Sequence, residues 1–508
     1  MAFSTLLLLL LTGSSIRLLQ GNVDTILLKN EYINDLTLNK SQFFLASTYD
    51  YFFGGEQEAD GTMNTLADND ANPLIRYHYV DKTNFPFLHT TESSWEVLSP
   101  FFAKDSAPPN IVIVLVEGLG RAFTGRDAYL GNFTPFIDSL SQKSLYWQNF
   151  LSEGGRTFAV LPSVLGSLPF AKNGFNGLDN AMPRHLSLMN ILKNNGYRTA
   201  FYYGGDSHFD DMDLYLERNQ VDSIFDEKSF PGGYTKMPSA ATGASWGYGD
   251  KELFRRYFES NTTTPRPYLN VVLTVSTHSP FLINEQARYN NRFEQRMNEL
   301  GFDEAKKKQY RVHTDKYASI LYADDALRYF FEQYSKRADF NNTIFVITGD
   351  HRMPEIPMST KIDRYHVPLI MYSPLLSRTA QFASVSTHFD ITPTLLSFLH
   401  KQYGLNVPQT ASWMGSYMDT ARQFRNLHAY PLMQTKNDIV DFVMGSYLLN
   451  GRNLYRLDST LDATPDQTAN KKIQLQNAFT RFKEDNKAFI GTLKIVPDSL
   501  LEKYTPRQ

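Results

Sequence analysis

The run Asn110-Ile-Val-Ile-Val-Leu-Val116 constrains the fold of this chain more than any other feature. It has no polar alternation and is rich in β-branched residues. Such a run suits a strand covered on both faces, as in a parallel sheet sandwiched between helices. Four comparable runs follow, at residues 197–203, 268–275, 343–348 and 367–372. Between them lie stretches with apolar residues at helical spacing, such as 185–194 and 317–334. Strands alternating with helices predict an α/β fold, a largely parallel central sheet flanked by helices. The pattern weakens after residue 420, so 421–508 are expected to form a small C-terminal α+β subdomain. Residues 21–106, with Gly54-Gly55 and an acidic stretch from Glu56 to Asp70, are expected to be a connecting region before the catalytic span 107–420.

The 508 residues are enough for a large core. A net charge of -3 and the absence of any Lys/Arg run argue against a nucleic-acid partner. The chain has no cysteine, which excludes thiol nucleophiles, thiolate metal sites and disulfides together. At the N-terminus, Leu6–Leu11 is followed by Thr12-Gly13-Ser14-Ser15. This run is too short to span a bilayer, and residues 1–20 read as a signal peptide without its basic start or as the end of a transmembrane helix. A buried terminal helix is the third reading. Either of the first two places the rest outside the cytoplasm.

The polar residues fall where the apolar runs end. The first run stops at Glu117-Gly118, the second at Gly204-Gly205-Asp206-Ser207-His208, the third at Ser276-Thr277-His278, and the fourth at Gly349-Asp350-His351-Arg352. Ligands of open α/β sheets bind outside the carboxyl ends of the strands, so these residues point to one convergent site. A carboxylate placed like Glu117 needs a partner or a metal, unless it caps a helix or lies in a solvated loop. Asp350 and His351 offer adjacent oxygen and nitrogen ligands suited to zinc, manganese or a similar divalent ion; a structural role for the pair is the alternative. Gly154-Gly155-Arg156-Thr157 precedes an apolar stretch that can begin as a helix, short or kinked because of Pro162. Thr157 there is either a helix cap or a nucleophile activated by metal and helix dipole.

Taken together, these residues resemble the sulfatase/alkaline-phosphatase superfamily, and within it the lipoteichoic acid synthase-like branch. The resemblance rests on residues 110–118, Asn132-Phe-Thr-Pro-Phe-Ile-Asp-Ser-Leu140, Gly154-Gly-Arg-Thr157, Trp246-Gly-Tyr-Gly-Asp250, Thr277-His278-Ser-Pro-Phe281, Gly349-Asp350-His351, Arg364-Tyr-His-Val-Pro-Leu369 and Phe389-Asp390-Ile-Thr-Pro-Thr394, in that order. It implies that Glu117, Thr157, Asp350 and His351 bind one divalent ion, Mn2+ or Zn2+ with Mg2+ as a further option. It also implies a covalent phospho-intermediate on Thr157 and contact of His278 with the substrate phosphate. A site facing the outside of a bacterial membrane follows, with a phospholipid or other phosphodiester as donor and a glycan or polymer hydroxyl as acceptor.

Asp206, His208 and Trp246 are expected to line the pocket, and Arg156 and Arg352 either clamp phosphate or neutralise neighbouring carboxylates. His366 either serves a second metal or proton transfer, or is structural. The chain departs from glycerol-phosphate polymerases of the branch by lacking a Trp and an Arg after the second strand. Asp210 and Asp211 stand there instead, which disfavours an anionic head group. It departs from sulfatases proper by lacking the Cys or Ser that becomes formylglycine. The expectation is phosphotransfer through Thr157, with phosphodiesterase, phosphatase or other hydrolase activity as the alternative. A silent surface domain binding glycan or lipid head groups is the rival from another class.

Overall fold

The strand beginning at Asn110 lies in the middle of an eight-stranded sheet and is buried along its whole length. In this computed structural model the sheet strands are β1 (Asn110–Val116), β2 (Leu145–Leu151), β3 (Arg198–Tyr203), β4 (Ser223–Phe225), β5 (Tyr268–Leu273), β6 (Thr343–Gly349), β7 (His366–Tyr372) and β8 (Ala380–Thr387). Their order is β4-β3-β5-β1-β6-β7-β2-β8. The description covers residues 77–506 apart from 93–94, 105, 172–173, 262–266 and 437, so all three readings of residues 1–20 fall outside it, as does most of the connecting region.

The α/β architecture expected from the sequence is present, with one inversion. β7 runs antiparallel to both neighbours, β6 and β2, while the remaining pairings are parallel. Its inversion brings the start of β7, His366, opposite Leu151 at the end of β2. His366 therefore joins the edge where the parallel strands finish. Strands β2 and β8 escaped the sequence reading because Gln148, Asn149, Gln381 and the serines of 384–386 interrupt their apolar pattern.

Alternating residues of β1 and β6 feed two layers. Ile111, Ile113, Leu115, Ile344 and Val346 share one core with helices α1 (Val160–Gly166), α2 (Leu188–Asn194) and α5 (Ile391–Tyr403). Phe345 faces the other way, against Phe330, Phe331 and Tyr334 of α4 (Thr314–Tyr334). α3 (Asp250–Ser260) lies on that second face, with Phe254 and Tyr257 packed on Phe330.

Past residue 428 an antiparallel meander forms: β9 (Ala429–Thr435), β10 (Asp438–Met444), β11 (Tyr447–Asn450), β12 (Asn453–Leu457) and β13 (Ala463–Asp466). Phe479 of α6 (Ala469–Thr492) stacks on Phe442 of β10. All elements named here belong to one compact unit, residues 73–353 and 362–508. Among the described residues no helix is long and apolar enough to cross a membrane.

Candidate active site

Each residue of the site sits one step beyond a strand. Glu117 follows β1, Asp350 and His351 follow β6, and Thr157 closes the loop that leaves β2. All four are buried. The Thr157 hydroxyl lies 2.8 Å from Asp350 Oδ2 and 3.1 Å from Glu117 Oε2. His351 Nε2 lies 3.4 Å from the same Asp350 oxygen and 3.5 Å from Glu117 Oε1. A ligand atom from each of Glu117, Asp350 and His351 falls within 4.8 Å of the others.

Their partners fix these atoms. Asp350 Oδ1 accepts N–H bonds from Gly118 and His351, both 2.8 Å, which leaves Oδ2 turned to Thr157. His351 Nδ1 lies 2.9 Å from the Arg352 carbonyl, so the proton is assigned to Nδ1 and Nε2 presents a lone pair. The Glu117 amide donates to Thr274 Oγ1 at 3.0 Å, and Thr277 Oγ1 donates to the Glu117 carbonyl. Two carboxylates, a hydroxyl oxygen and an imidazole lone pair thus converge with one hydroxyl proton between them. That surplus of buried acceptors fits a divalent cation.

The loop that carries Thr157 has its own frame. Arg156 is in extended conformation, Thr157 opens a short 3-10 turn, and α1 follows. The Thr157 side chain caps neither helix; the two carboxylates take its hydroxyl instead. Gly155 N donates to the Met433 carbonyl at 3.0 Å, and Met433 N to the Glu153 carbonyl at 2.8 Å, so the loop pairs with β9. A Cβ at Gly155 would come within 2.6 Å of Arg364 and 3.1 Å of the Gln434 carbonyl, which explains the glycine at this close approach.

The other expected residues fall into distinct places. The half-buried His278 ring lies 3.8 Å from that of Trp246, and Phe209 closes the group at 5.2 Å from Trp246. Trp246 Nε1 donates to the Ser279 carbonyl at 2.7 Å, tying this aromatic edge to the loop that carries Thr277. Asp206 and His208 form a solvent-facing cluster with Lys228 and Asp213. The His208 backbone N–H leads in lowering the Asp206 carboxyl pKa. Arg156 is exposed and makes no hydrogen bond or ion pair among the described residues, which leaves its guanidinium available.

Arg352 does not serve as an open clamp. It is fully buried, with Nε 3.2 Å from Asp363 and Nη2 3.2 Å from the Tyr129 hydroxyl. Of the two roles expected for it, neutralisation is the one its surroundings match. His366 is also engaged: its Nε2 lies 2.8 Å from the Gln148 carbonyl, and burial lowers its pKa to about 4. The Asp210 charge, expected to repel anions, is met by Lys436 Nζ at 2.6 Å. Lys436 also lies over the ring of Phe158, the residue after Thr157. The cation absent after β3 in sequence thus arrives from the turn between β9 and β10.

Several further residues support the site. Asp250 Oδ1 accepts from the amides of Val275 and Ser276, both at 3.0 Å, holding the loop that bears Thr277 and His278. His388 Nε2 lies 3.0 Å from the Gly349 carbonyl, just before Asp350 and His351, while burial lowers its pKa to about 4. Glu153 is wholly buried, and burial holds its carboxyl well above the usual carboxylate range. Asp250 closes the Trp246–Asp250 motif, whereas Glu153 and His388 are marked in the sequence only by proximity to motifs.

The family model described as Sulfatase matches residues 109–401, more than half of the chain and the span that carries every ligand described above. The chain belongs to the Sulfatase family. A lipoteichoic acid synthase-like protein, YvgJ, from Bacillus subtilis (strain 168) is 23% identical over 317 residues, covering 57% of this chain and 47% of that protein. Phosphoglycerol transferase I from Citrobacter koseri is 21% identical over 253 residues, or 48% of this chain and 30% of that one. The chain therefore spans less than half the length of these curated relatives. A solved alkaline phosphatase superfamily protein from Vibrio parahaemolyticus superposes with a TM-score of 0.59 at 21% identity, covering 84% of this chain and 94% of that one, a likeness of fold. The placement in the superfamily and near its lipoteichoic acid synthase-like branch, read from ordered motifs, agrees with these relatives.

Proposed function

We propose that this Sulfatase-family chain is a metal-dependent phosphotransferase that acts on a phosphodiester through a covalent intermediate on Thr157. The observation that carries the reading is the position of Thr157 Oγ1, 2.8 and 3.1 Å from two carboxylates that share a cluster with His351. A hydroxyl held there is a ligand and a nucleophile at once. Glu117, Thr157, Asp350 and His351 would hold one Mn2+ or Zn2+, with Mg2+ the third choice. When bound, that ion lowers the hydroxyl pKa and neutralises charge developing on the phosphoryl oxygens.

The chain's own residues supply the rest. Thr157 Oγ1 attacks phosphorus in line, its bond to phosphorus forms, and the bond to the departing alcohol breaks. The Thr157 hydroxyl proton would be released to solvent when the ion binds, because Asp350 Oδ2 would itself be a ligand. His278 contacts the phosphate and protonates the leaving oxygen, and Arg156 clamps a phosphoryl oxygen from the exposed side. An acceptor hydroxyl then attacks the phospho-threonine and releases Thr157. Trp246, Asp206 and His208 line the approach.

Relatives named for lipoteichoic acid synthesis and phosphoglycerol transfer support a phospholipid head group as donor and an envelope polymer or glycan as acceptor, at a membrane surface outside the cytoplasm. Water in place of the acceptor would make the same site a phosphodiesterase.

The test is a panel with purified protein and added Mn2+ or Zn2+: a bis-aryl phosphodiester, an aryl phosphate, an aryl sulfate and labelled phospholipid vesicles. Diester or lipid turnover should be abolished in Thr157→Ala, and quenched wild-type enzyme should carry phosphate on the peptide containing Thr157. Sulfate turnover that survives in Thr157→Ala would sink the proposal.

A further inference from the structure

A cavity of about 290 Å³ has none of Glu117, Thr157, Asp350 or His351 in its wall. Its wall comes from three stretches of chain. Tyr77, Tyr79 and Phe87 precede the sheet, Trp413 and Tyr430 lie at the entry to the C-terminal meander, and Phe482 belongs to α6. The volume sits at the small end of the ligand-site range, roughly 300–1,000 Å³. The lining has few aliphatic side chains, with Met414 the largest.

The polar groups in this wall are specific. His89 and His428 both line it, and both are almost fully buried. His89 Nδ1 lies 2.8 Å from the Phe87 carbonyl, which assigns the proton to Nδ1 and leaves Nε2 as an acceptor. The Nε2 atoms of His89 and His428 are buried and have no hydrogen-bond partner. Burial lowers the pKa of these rings to about 4 and about 3, so at neutral pH they carry no charge. A buried polar nitrogen without a partner is costly, and a small shift of either ring would let a hydroxyl group in the cavity supply one. At the rim, Arg481 is exposed and makes no ion pair among the described residues, whereas Lys82 is 2.9 Å from Asp485.

Aromatic faces, uncharged ring nitrogens and a rim guanidinium are complementary to one chemistry. A sugar ring presents C–H faces to stack on aromatic planes, hydroxyl donors for imidazole nitrogens, and oxygens for an arginine. An acyl chain would match the rings but leave both histidines and Arg481 unanswered. We infer that this cavity is a saccharide-binding site of one or two sugar units, separate from the metal cluster. It adjoins the catalytic machinery through β9, which carries Tyr430 in the cavity wall and Met433 against the nucleophile loop. The inference does not depend on the chemistry assigned to Thr157.

The experiment titrates the full chain with glucose, N-acetylglucosamine, maltose and glucuronate, read by tryptophan fluorescence, since Trp413 lines the cavity, and by saturation-transfer NMR. Lauric acid and a lysophospholipid form the apolar arm. Tyr79→Ala and Arg481→Gln alter the exposed rim, and their melting temperatures report whether the fold is kept. At least one saccharide should bind saturably, about tenfold more weakly in each variant. Binding should persist in Thr157→Ala, whether or not that variant turns over phosphodiesters. No saccharide binding, binding equal in wild type and both variants, or saturation by the apolar arm alone overturns the inference.

Discussion

Asp250 offers the sharpest test of how the fold positions the site. It stands at the first position of α3, wholly buried, with Oδ1 accepting from the amides of Val275 and Ser276 and its own amide donating to Ser276 Oγ at 2.8 Å. Thr277, which donates to the Glu117 carbonyl, and His278 follow directly. Burial raises the Asp250 carboxyl pKa despite these bonds. The function of the side chain is therefore acceptance of two N–H groups, and its charge is incidental. Asp250→Ala orphans both donors at roughly 1–3 kcal/mol each, or about 2–6 kcal/mol in all. Asp250→Asn keeps the acceptor and places an amide at Oδ2, which already lacks a partner, at a cost of about 1–3 kcal/mol. Urea unfolding should rank wild type above Asn above Ala. Turnover of a bis-aryl phosphodiester, measured well below the unfolding range, should fall steeply for Ala and little for Asn. If Asn proves as damaging as Ala in both assays, charge rather than hydrogen-bond acceptance matters and the argument fails.

Two further outcomes are expected. Chelation should lower the melting temperature and Mn2+ or Zn2+ should raise it, with about 2.7 kcal/mol of stabilisation at a hundredfold excess over Kd; Asp350→Asn should abolish the shift, and a shift that persists there would place the ion elsewhere. His185 lies against Phe175 and Tyr215, and burial lowers its pKa from 6.5 to about 4. The unfolded chain takes up this proton as pH falls below 6.5, while the folded chain resists until about pH 4. The contribution of His185 to stability is therefore complete above 6.5 and lost on acidification toward 4, at up to about 1.4 kcal/mol per pH unit. His185→Gln should flatten the pH dependence of urea unfolding by one proton in that window; an unchanged slope would refute the assignment.

The sequence by itself determined the layered α/β architecture, because a strand buried on both faces must be apolar throughout, and β1 records that requirement in six adjacent residues. It also located Glu117, Asp350 and His351, since polar residues that end such strands lie at one edge of the sheet, and it singled out Thr157 as a hydroxyl opening an apolar, helix-like stretch. Their order along the chain, matched to a known family, is what turned the reading of Thr157 from a helix cap toward the nucleophile proposed above.

Only the tertiary structure decided which polar groups are free to act. Arg156 and Arg352 look alike in sequence, yet one is exposed and the other is locked to Asp363 and Tyr129. The inversion of β7 placed His366 at the active edge, but its ring is taken by Gln148. Met433 and Lys436 reach the nucleophile region from residues remote in the chain, and nothing local marks them. A side chain's type and periodicity are local properties, legible in order. Its availability depends on partners that folding brings from hundreds of residues away, and so it is settled only when the chain closes on itself.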